Sequence, residues 1–264
     1  MKKNYALILG ASSGFGKAIS LALAEDGVNI IGVHLDRAST MPDVDQLIED
    51  IKSKGAEAHF FNANAADSVK REEIISKTEK LLSENEDSTI KILVHSLAFG
   101  TLKPFIAENP DDAINQKQIE MTLDVMANSL VYWTQGVINR KLMKSGGKIY
   151  AMTSSGGSRQ IEFYGAVSAA KACLESYVRQ LAMELGKMGI SANSIRAGVT
   201  NTPALLKIPN SQKIIQNALQ RNPVGRLTLP DEIAHYIVDN YKRDSHWMTG
   251  NVINLDGGES VVEL

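Results

Sequence analysis

The sequence predicts one α/β domain built on a parallel β-sheet with helices on both faces, the doubly wound arrangement. Short apolar runs alternate with long helical patterns along the chain, and such regular alternation is typical of a parallel sheet covered on both sides. The 264 residues are 44% apolar and contain no linker rich in proline or serine. We therefore expect a single domain, residues 1–264, with one well-buried core.

The apolar runs that are short and bounded by turn-forming residues are predicted to be strands, about seven in number. They are Ala6–Leu9, Asn29–Val33, Glu57–Asn62, Ile90–His95, Lys148–Met152, Ser191–Ile195 and Val252–Leu255. Helical periodicity between them predicts helices at Phe15–Asp26, Val44–Lys54, Lys70–Ser83, Ile114–Met143 and Tyr164–Lys187. Ligands of such sheets bind beyond the carboxyl ends of the strands, where strand order reverses.

The charge, the cysteine content and the spacing of the histidines limit the partners, the compartment and the metal sites that can be expected. With 28 Lys and Arg against 30 Asp and Glu, the formal net charge is −2 and no basic stripe is present, so nothing favours nucleic acid or a membrane as a partner. The single cysteine, Cys173, excludes an intramolecular disulfide and fits a reducing compartment. No segment approaches the length of a membrane span, and the scattered histidines have no metal-ligand spacing. We expect a cytoplasmic protein without a metal site.

A glycine-rich turn joins the first predicted strand to the first predicted helix. It comprises Gly10, Ala11, Ser12, Ser13, Gly14, Phe15 and Gly16. Gly10 permits a tight turn, while Gly14 and Gly16 lack side chains where the backbone must approach a pyrophosphate and the sheet. The N-terminus of the helix offers free N–H groups and the positive end of its dipole to an anion. The first strand–helix unit therefore predicts a dinucleotide-binding site.

Tyr164 and Lys171 are seven residues apart in a predicted helix. At 100° per residue, seven steps end about 20° short of two turns, so both side chains share one face, roughly 10.5 Å apart along the axis. A phenol and an ammonium on one face can deliver a proton to a bound substrate. Val167, four residues before Lys171, cannot donate a proton. Ordinary packing of a helix face is the alternative explanation for the pair.

Beyond the glycine turn, Tyr164 and Lys171, several segments resemble the short-chain dehydrogenase/reductase family over essentially the whole chain. They are Asn62-Ala-Asn64-Ala65, Val94-His95-Ser96-Leu97-Ala98, Asn193-Ser-Ile-Arg-Ala-Gly198-Val-Thr200-Asn-Thr202 and Asn254-Leu-Asp-Gly-Gly258. Most members have Asn-Asn-Ala-Gly at residues 95–98 and proline before Gly198. His95-Ser96 and Ala197 stand there instead, as in enoyl-acyl-carrier-protein reductases. The Tyr-x6-Lys spacing resembles their NADPH-using branch.

The resemblance implies a doubly wound (Rossmann) fold that binds a nicotinamide cofactor along these segments. Asn64 and Ala65 stand at the family's adenine-binding position, and Thr202 is expected at the carboxamide or the pyrophosphate. The other residues expected at the cofactor, besides the glycine turn, are His34, Arg37, Ser96, Ala98, Lys171, Gly198 and Thr200.

The residues after the second strand bear on the choice between NADPH and NADH. A carboxylate there binds the ribose 2′-hydroxyl of NAD, whereas a basic group accommodates the 2′-phosphate of NADP. By resemblance, His34 stands where NAD-selective members have Asp. Arg37 suits a 2′-phosphate, while Asp36 would oppose it, bind the 2′-hydroxyl or serve as a turn residue. We expect NADPH, with NADH as the alternative.

The resemblance also implies an activity, which is hydride transfer to the β-carbon of a trans-2-enoyl thioester in fatty-acid synthesis. The substrate would be linked to acyl carrier protein or to coenzyme A. Tyr164 would donate to the thioester oxygen, and Lys171 would hold the nicotinamide ribose and favour phenolate character at Tyr164. Ser154 stands where many enoyl reductases have a second tyrosine, and it is either a carbonyl ligand or a turn residue. Asn128 matches the helix-kinking asparagine that anchors a relay water, or it is an exposed polar residue.

Two other functions stay open. Ser154 favours a ketone or alcohol oxidoreductase, such as a 3-oxoacyl thioester reductase, and Val167 disfavours it. A non-catalytic nucleotide-sensing protein is a third possibility, although such a protein would not require Tyr164 and Lys171.

Two further features concern the lid and the assembly. Residues 203–221 carry isoleucines and a leucine at helical spacing, which predicts either a substrate lid or a surface helix. The helices Ile114–Met143 and Tyr164–Lys187 resemble the pair that forms the family's dimer interface. Near Val131–Val137 apolar residues lie on several helix faces, so a monomer would expose some of this apolar surface to water. We expect a homotetramer.

Overall fold

The computed structural model describes residues 3–85 and 87–262. Its strands are β1 (Asn4–Leu9), β2 (Asn29–His34), β3 (Ala58–Asn62), β4 (Thr89–His95), β5 (Lys148–Thr153), β6 (Ser191–Ala197) and β7 (Val252–Leu255). They form one sheet in the order β3-β2-β1-β4-β5-β6-β7, and every neighbouring pair is parallel. The predicted doubly wound sheet is confirmed, and only strand ends differ from the prediction.

Strand order reverses at β1. This strand pairs with β2 on one side and with β4 on the other, because the chain moves outward to β3 and then returns across the sheet. Leu9 and His95, the last residues of β1 and β4, are register partners. The segments that follow them therefore flank the crevice in which sheets of this kind bind ligands.

Helices cover both faces of the sheet. They are α1 (Gly14–Glu25), α2 (Met41–Ser53), α3 (Ser68–Ser83), α4 (Gln116–Leu123), α5 (Ser129–Asn139), α6 (Gly165–Leu185), α7 (Pro203–Leu206), α8 (Ser211–Arg221) and α9 (Pro230–Tyr241). Side chains of β1 alternate between the two cores: Leu7 and Leu9 pack with residues of α3, α5 and α6, whereas Ala6 and Ile8 pack with residues of α1, α2 and α9. This period of two is what a strand buried on both faces requires.

The predicted helix Ile114–Met143 is not continuous. Asn115 caps α4 by accepting a hydrogen bond from the backbone N–H of Gln118, and a π-helical segment, Asp124–Asn128, separates α4 from α5. The Ser129 hydroxyl donates to the Val125 carbonyl at 2.8 Å, a mid-helix bond that competes with the backbone ladder. The helix therefore widens there, and it ends at Asn139 rather than at residue 143.

Residues 203–221 form two helices instead of one regular segment. Asn210 has φ +60 and separates α7 from α8, so Ile208 lies outside both helices. The helix α9 was not predicted, although Pro230 in its first turn followed by Asp231 and Glu232 is a helix-start signal. No helix within the described residues has the length and apolar character needed to cross a membrane.

Candidate active site

The glycine turn packs tightly against the segment that follows β4. Gly10 has φ +87, and a Cβ there would lie 2.3 Å from the carbonyl oxygen of Ser96. A Cβ on Gly16 would lie 1.9 Å from the carbonyl oxygen of Gly10. Both positions require glycine. The Ser13 side chain makes no capping hydrogen bond, so the first N–H groups of α1 are open to an anion such as a pyrophosphate.

A cavity of about 240 Å³ lies over this turn. The predicted cofactor residues that line it are Gly10, Ser12, Ser13, Gly14, Phe15, His34, Asn64, Ala65, Ser96, Ala98 and Thr202. Gly16 lies beneath the turn against Gly10. Arg37 is exposed and does not line this cavity. These residues fit a dinucleotide: the first turn of α1 would hold its pyrophosphate, and Asn64 and Ala65 after β3 would hold its adenine.

Asp36 is held at the end of β2 by several donors. One of its oxygens lies 2.9 Å from His34 Nδ1, and the other accepts a 2.8 Å hydrogen bond from the Thr40 hydroxyl. Burial raises the pKa of Asp36, but hydrogen bonds from Ser12, Thr40 and His34 outweigh it and hold the pKa below its usual value. Asp36 is therefore an anion beside the glycine turn, which suits a ribose 2′-hydroxyl and opposes a 2′-phosphate.

A second cavity, of about 300 Å³, lies beyond the carboxyl ends of β4, β5 and β6. The predicted residues Ser154, Tyr164, Lys171, Gly198, Thr200 and Thr202 line it. Both cavities share residues, which are Phe15, Ser96, Leu97, Ala98, Phe99, Thr202, Ala204 and Lys207. The two cavities therefore form one cleft across the switch point of the sheet.

The wall of this second cavity is largely apolar. Leu97, Leu102, Met126 and Val167 line one part of it, and Leu205, Ile208 and Ile214 from the 203–221 segment line another. Val167 is buried, as is Met126. An apolar wall strengthens polar interactions beside it.

Lys171 is buried and directed at main-chain carbonyls. Its Nζ donates to the Met152 carbonyl at 2.7 Å and lies 3.4 Å from the Leu97 carbonyl. Burial lowers the Lys171 pKa to about 8, and the nearby charge of Glu175 opposes this change. The ammonium is therefore the predominant form at neutral pH, fixed between β4 and β5.

Tyr164 immediately precedes α6, which begins at Gly165. Phe163 before it has φ +63, an uncommon conformation for a bulky residue that often marks a functional site. Burial raises the pKa of the Tyr164 phenol, and a hydrogen bond with Ser154 lowers it only in part. Burial therefore favours the neutral phenol at Tyr164. The expected contribution of Lys171 to phenolate character stays a prediction.

Ser154 lies beside this phenol. A Cβ on Gly156 would be 2.7 Å from Tyr164 Cε1 and 3.2 Å from Ser154 Oγ, so the glycine lets the loop close over both side chains. Apart from its contact with Tyr164, the buried Ser154 hydroxyl has no hydrogen-bond partner among the described residues. Ser154 and Tyr164 thus line the same cavity side by side, with the Ser154 oxygen itself buried.

His95 and Asn128 lie behind the cleft. His95 Nε2 is 2.9 Å from the Ser129 hydroxyl, and burial followed by the charge of Lys171 lowers the His95 pKa to about 3, so the ring is neutral. Asn128 ends the π-helical segment, but its amide oxygen accepts a 2.9 Å hydrogen bond from Tyr177. Asn128 lines neither cavity, and its predicted role at a relay water stays a prediction.

Sequence reasoning did not single out Glu175 or Arg196. Both are largely buried, and their side chains lie 3.1 Å apart. Glu175 could have been identified from the sequence, because it follows Lys171 by four residues and so faces the same side of α6. Arg196 is a charged residue near the end of a buried strand. Among the described residues no group of three or more His, Cys, Asp or Glu is arranged to hold a metal ion.

Comparisons with known proteins agree with this geometry. A family model described as Enoyl-(Acyl carrier protein) reductase matches residues 10–260. The chain is 28% identical over 268 residues to the (2S)-[(R)-hydroxy(phenyl)methyl]succinyl-CoA dehydrogenase subunit BbsD of Thauera aromatica, covering 99% of this chain and 98% of that protein. It is 27% identical over 254 residues to the 3-oxoacyl-[acyl-carrier-protein] reductase FabG of Thermotoga maritima, with 96% of each chain covered.

The fold has a close counterpart among solved structures. The short-chain dehydrogenase/reductase from Serratia marcescens superposes with a TM-score of 0.81 at 20% identity, covering 98% of this chain and 99% of that chain. Family membership rests on the match to residues 10–260, which is most of the sequence. The protein belongs to the short-chain dehydrogenase/reductase family and is an oxidoreductase that depends on NAD or NADP.

Proposed function

We propose that this protein reduces the trans-2 double bond of an enoyl thioester. The nicotinamide cofactor supplies the hydride. The protein residues must then stabilise the negative charge that develops on the thioester oxygen, and a positioned donor in a dry site does this most effectively. The substrate would be linked to acyl carrier protein or coenzyme A, and the reaction would belong to fatty-acid synthesis.

One observation carries this proposal, which is the buried phenol of Tyr164 in a largely apolar cavity that Val167 also lines. A neutral phenol can donate both a hydrogen bond and a proton to an enolate oxygen. Val167 lines the cavity four residues before Lys171, so the position carries an apolar wall instead of a second donor. The cavity therefore suits an apolar acyl chain with a single oxygen to polarise.

A 3-oxoacyl thioester reductase is the second candidate, and Ser154 is the observation that favours it. Its hydroxyl lies beside Tyr164 and has no other partner among the described residues. Two hydroxyl groups can polarise a ketone oxygen together. The named 3-oxoacyl reductase relative is consistent with this alternative. A protein that only senses nucleotides would need neither hydroxyl group.

The cofactor proposal is NADPH, supported by His34 at the position of the NAD-selecting carboxylate and by the nearby Arg37. NADH is the alternative, and the Asp36 anion bonded to Ser12 supports it. Arg37 would attract the 2′-phosphate of NADPH, whereas Asp36 would repel it. Removing them one at a time therefore separates the two cofactors.

We also propose that residues 203–221 act as a lid and that the protein is a cytoplasmic homotetramer. Leu205, Ile208 and Ile214 face the cavity that contains Tyr164, which supports a covering role. The partly exposed α5–α6 pair supports assembly, because residues such as Tyr132 and Tyr177 are only half-buried in one chain.

A side-by-side assay tests the proposed reaction. Oxidation of NADPH and of NADH is followed with crotonyl thioesters and with acetoacetyl thioesters, each as coenzyme A and carrier-protein conjugates. The proposal expects the highest kcat/KM with a crotonyl thioester. Faster turnover of acetoacetyl thioesters would identify the ketone reductase, and binding of cofactor without turnover of either would support the sensing protein.

A further inference from the structure

Lys171 and Glu175 bind consecutive residues of one strand. Lys171 Nζ donates to the carbonyl of Met152 at 2.7 Å. Glu175, one turn later on α6, accepts a 2.7 Å hydrogen bond from the hydroxyl of Thr153. The next residue is Ser154, which contacts the Tyr164 phenol. The helix therefore clamps the end of β5 at two points directly before the catalytic loop.

Arg196 completes the clamp from β6. Thr153 and Arg196 are register partners across β5 and β6, and Arg196 Nη2 donates to the same Glu175 oxygen at 3.1 Å. The Glu175 side chain is 10% exposed and the Arg196 side chain 16% exposed. A Cβ on Gly157 would lie 2.7 Å from this Glu175 oxygen. The carboxylate thus supports β5, β6 and the loop after Ser154 together.

We propose that Glu175 is a positioning residue, which fixes the end of β5 through Thr153 and Arg196 and supplies the negative charge that compensates the buried ammonium of Lys171. A buried ammonium without a compensating charge loses its proton readily. Lys171 is expected to hold the ribose hydroxyls of the cofactor, so its charge bears directly on cofactor affinity.

The groups around Lys171 leave Glu175 as the source of that charge. His95 on β4 is neutral, with a pKa of about 3, and burial keeps the phenol of Tyr164 neutral. Arg196 on β6 is positive and paired with Glu175. Burial lowers the Lys171 pKa to about 8, and Glu175 acts in the opposite direction. Removing the Glu175 charge must therefore lower the Lys171 pKa further.

The test measures cofactor binding against pH, without substrate. Binding of NADPH and NADH is followed by cofactor fluorescence between about pH 6 and pH 9, a range that spans the titration of such a lysine. Affinity of the unchanged protein is expected to fall as pH rises through about 8. In Glu175→Gln, which keeps an acceptor for Thr153, this fall is expected roughly one pH unit lower.

Two control variants separate charge from shape. Thr153→Val removes a hydrogen bond to Glu175 without changing charge, and Arg196→Lys keeps the ion pair, so both are expected to leave the pH of the affinity loss where it is. If Glu175→Gln does not fold, the double variant Glu175→Gln/Arg196→Met removes both charges and is compared with Arg196→Met alone. The affinity loss of the double variant is expected at the lower pH of the two, because only the Glu175 charge differs between them.

The proposal is overturned if the affinity loss of Glu175→Gln occurs at the same pH as that of the unchanged protein, or that of the double variant at the same pH as that of Arg196→Met. It is also overturned if Thr153→Val shifts that loss equally. Because binding needs no substrate, these outcomes do not depend on whether the reaction is enoyl or ketone reduction.

Discussion

Replacing Tyr164 by Phe removes a single hydroxyl from the cleft. The ring and its packing stay, and so does the backbone hydrogen bond that the Ser168 N–H donates to the Tyr164 carbonyl at 2.8 Å. The glycine turn and Lys171 are unchanged, and we expect cofactor affinity to survive. Only the donor that faces the developing charge disappears.

The size of the effect follows from the environment of the phenol. Burial raises the Tyr164 pKa, so the hydroxyl keeps its proton at neutral pH and can act as a donor. Loss of one positioned donor to a developing oxyanion costs about 2.7–4 kcal/mol, and loss of a proton donor lowers rates by about 10²–10⁴-fold. We expect kcat for crotonyl thioester reduction to fall in that range.

The assay compares Tyr164→Phe with Ser154→Ala and Lys171→Ala on crotonyl and acetoacetyl thioesters, with cofactor binding measured in parallel. Ser154→Ala is expected to change enoyl reduction little. In a ketone reductase it would approach the effect of Tyr164→Phe. Lys171→Ala is expected to weaken cofactor binding as well as rate.

Near-normal crotonyl thioester reduction by Tyr164→Phe would refute the reasoning, because the proton donor would then be another group. A loss of cofactor affinity equal to that of Lys171→Ala would also contradict it. In that case the hydroxyl would act through the cofactor site and not on the substrate oxygen.

Three further predictions concern the cofactor, the core and the assembly. In parallel binding titrations, Arg37→Ala is expected to lower the affinity for NADPH more than that for NADH, and Asp36→Ala to do the reverse. Equal losses of affinity for the two cofactors would show that neither residue contacts the 2′-position. Trp133 is fully buried and donates to the Ala65 carbonyl at 2.8 Å, so Trp133→Phe should lower unfolding free energy by about 1–3 kcal/mol in urea denaturation, and an unchanged midpoint would contradict this. Size-exclusion chromatography with light scattering at micromolar protein should give a tetramer, and a monomeric mass would contradict the assembly.

The sheet could be predicted because its signals are local. Each strand is a short apolar run, and each is bounded by residues that form turns. The break at Asp124–Asn128 could not be predicted in the same way. It accompanies a Ser129 hydroxyl that bonds Val125 four residues earlier and His95 from another element. A helical pattern in the sequence contains no information about that second partner.

In the cofactor site, too, local features could be predicted and contacts between distant segments could not. The glycine turn was predictable because the required φ and the absence of Cβ atoms select glycine at fixed spacing. The state of Asp36 was not, because its donors come from three places: Ser12 in the glycine turn, His34 in β2 and Thr40 before α2. Sequence reasoning left Asp36 open among three roles, and only the fold brings these donors to one carboxylate.

The seven-residue spacing of Tyr164 and Lys171 was recognised in the sequence, but it describes their relative position only in part. A helical projection places both side chains on one face, but Tyr164 lies before the first helical residue and follows Phe163 at φ +63. The phenol is therefore directed by the turn and by the loop around Ser154, while Lys171 is directed by α6 onto β5. Two elements, not one helix face, set the distance between the Tyr164 phenol and the Lys171 ammonium. Ser154 on that loop and Val167 on α6 therefore bear on the two enzyme proposals separately, since Ser154 favours the ketone reductase and Val167 favours the enoyl reductase.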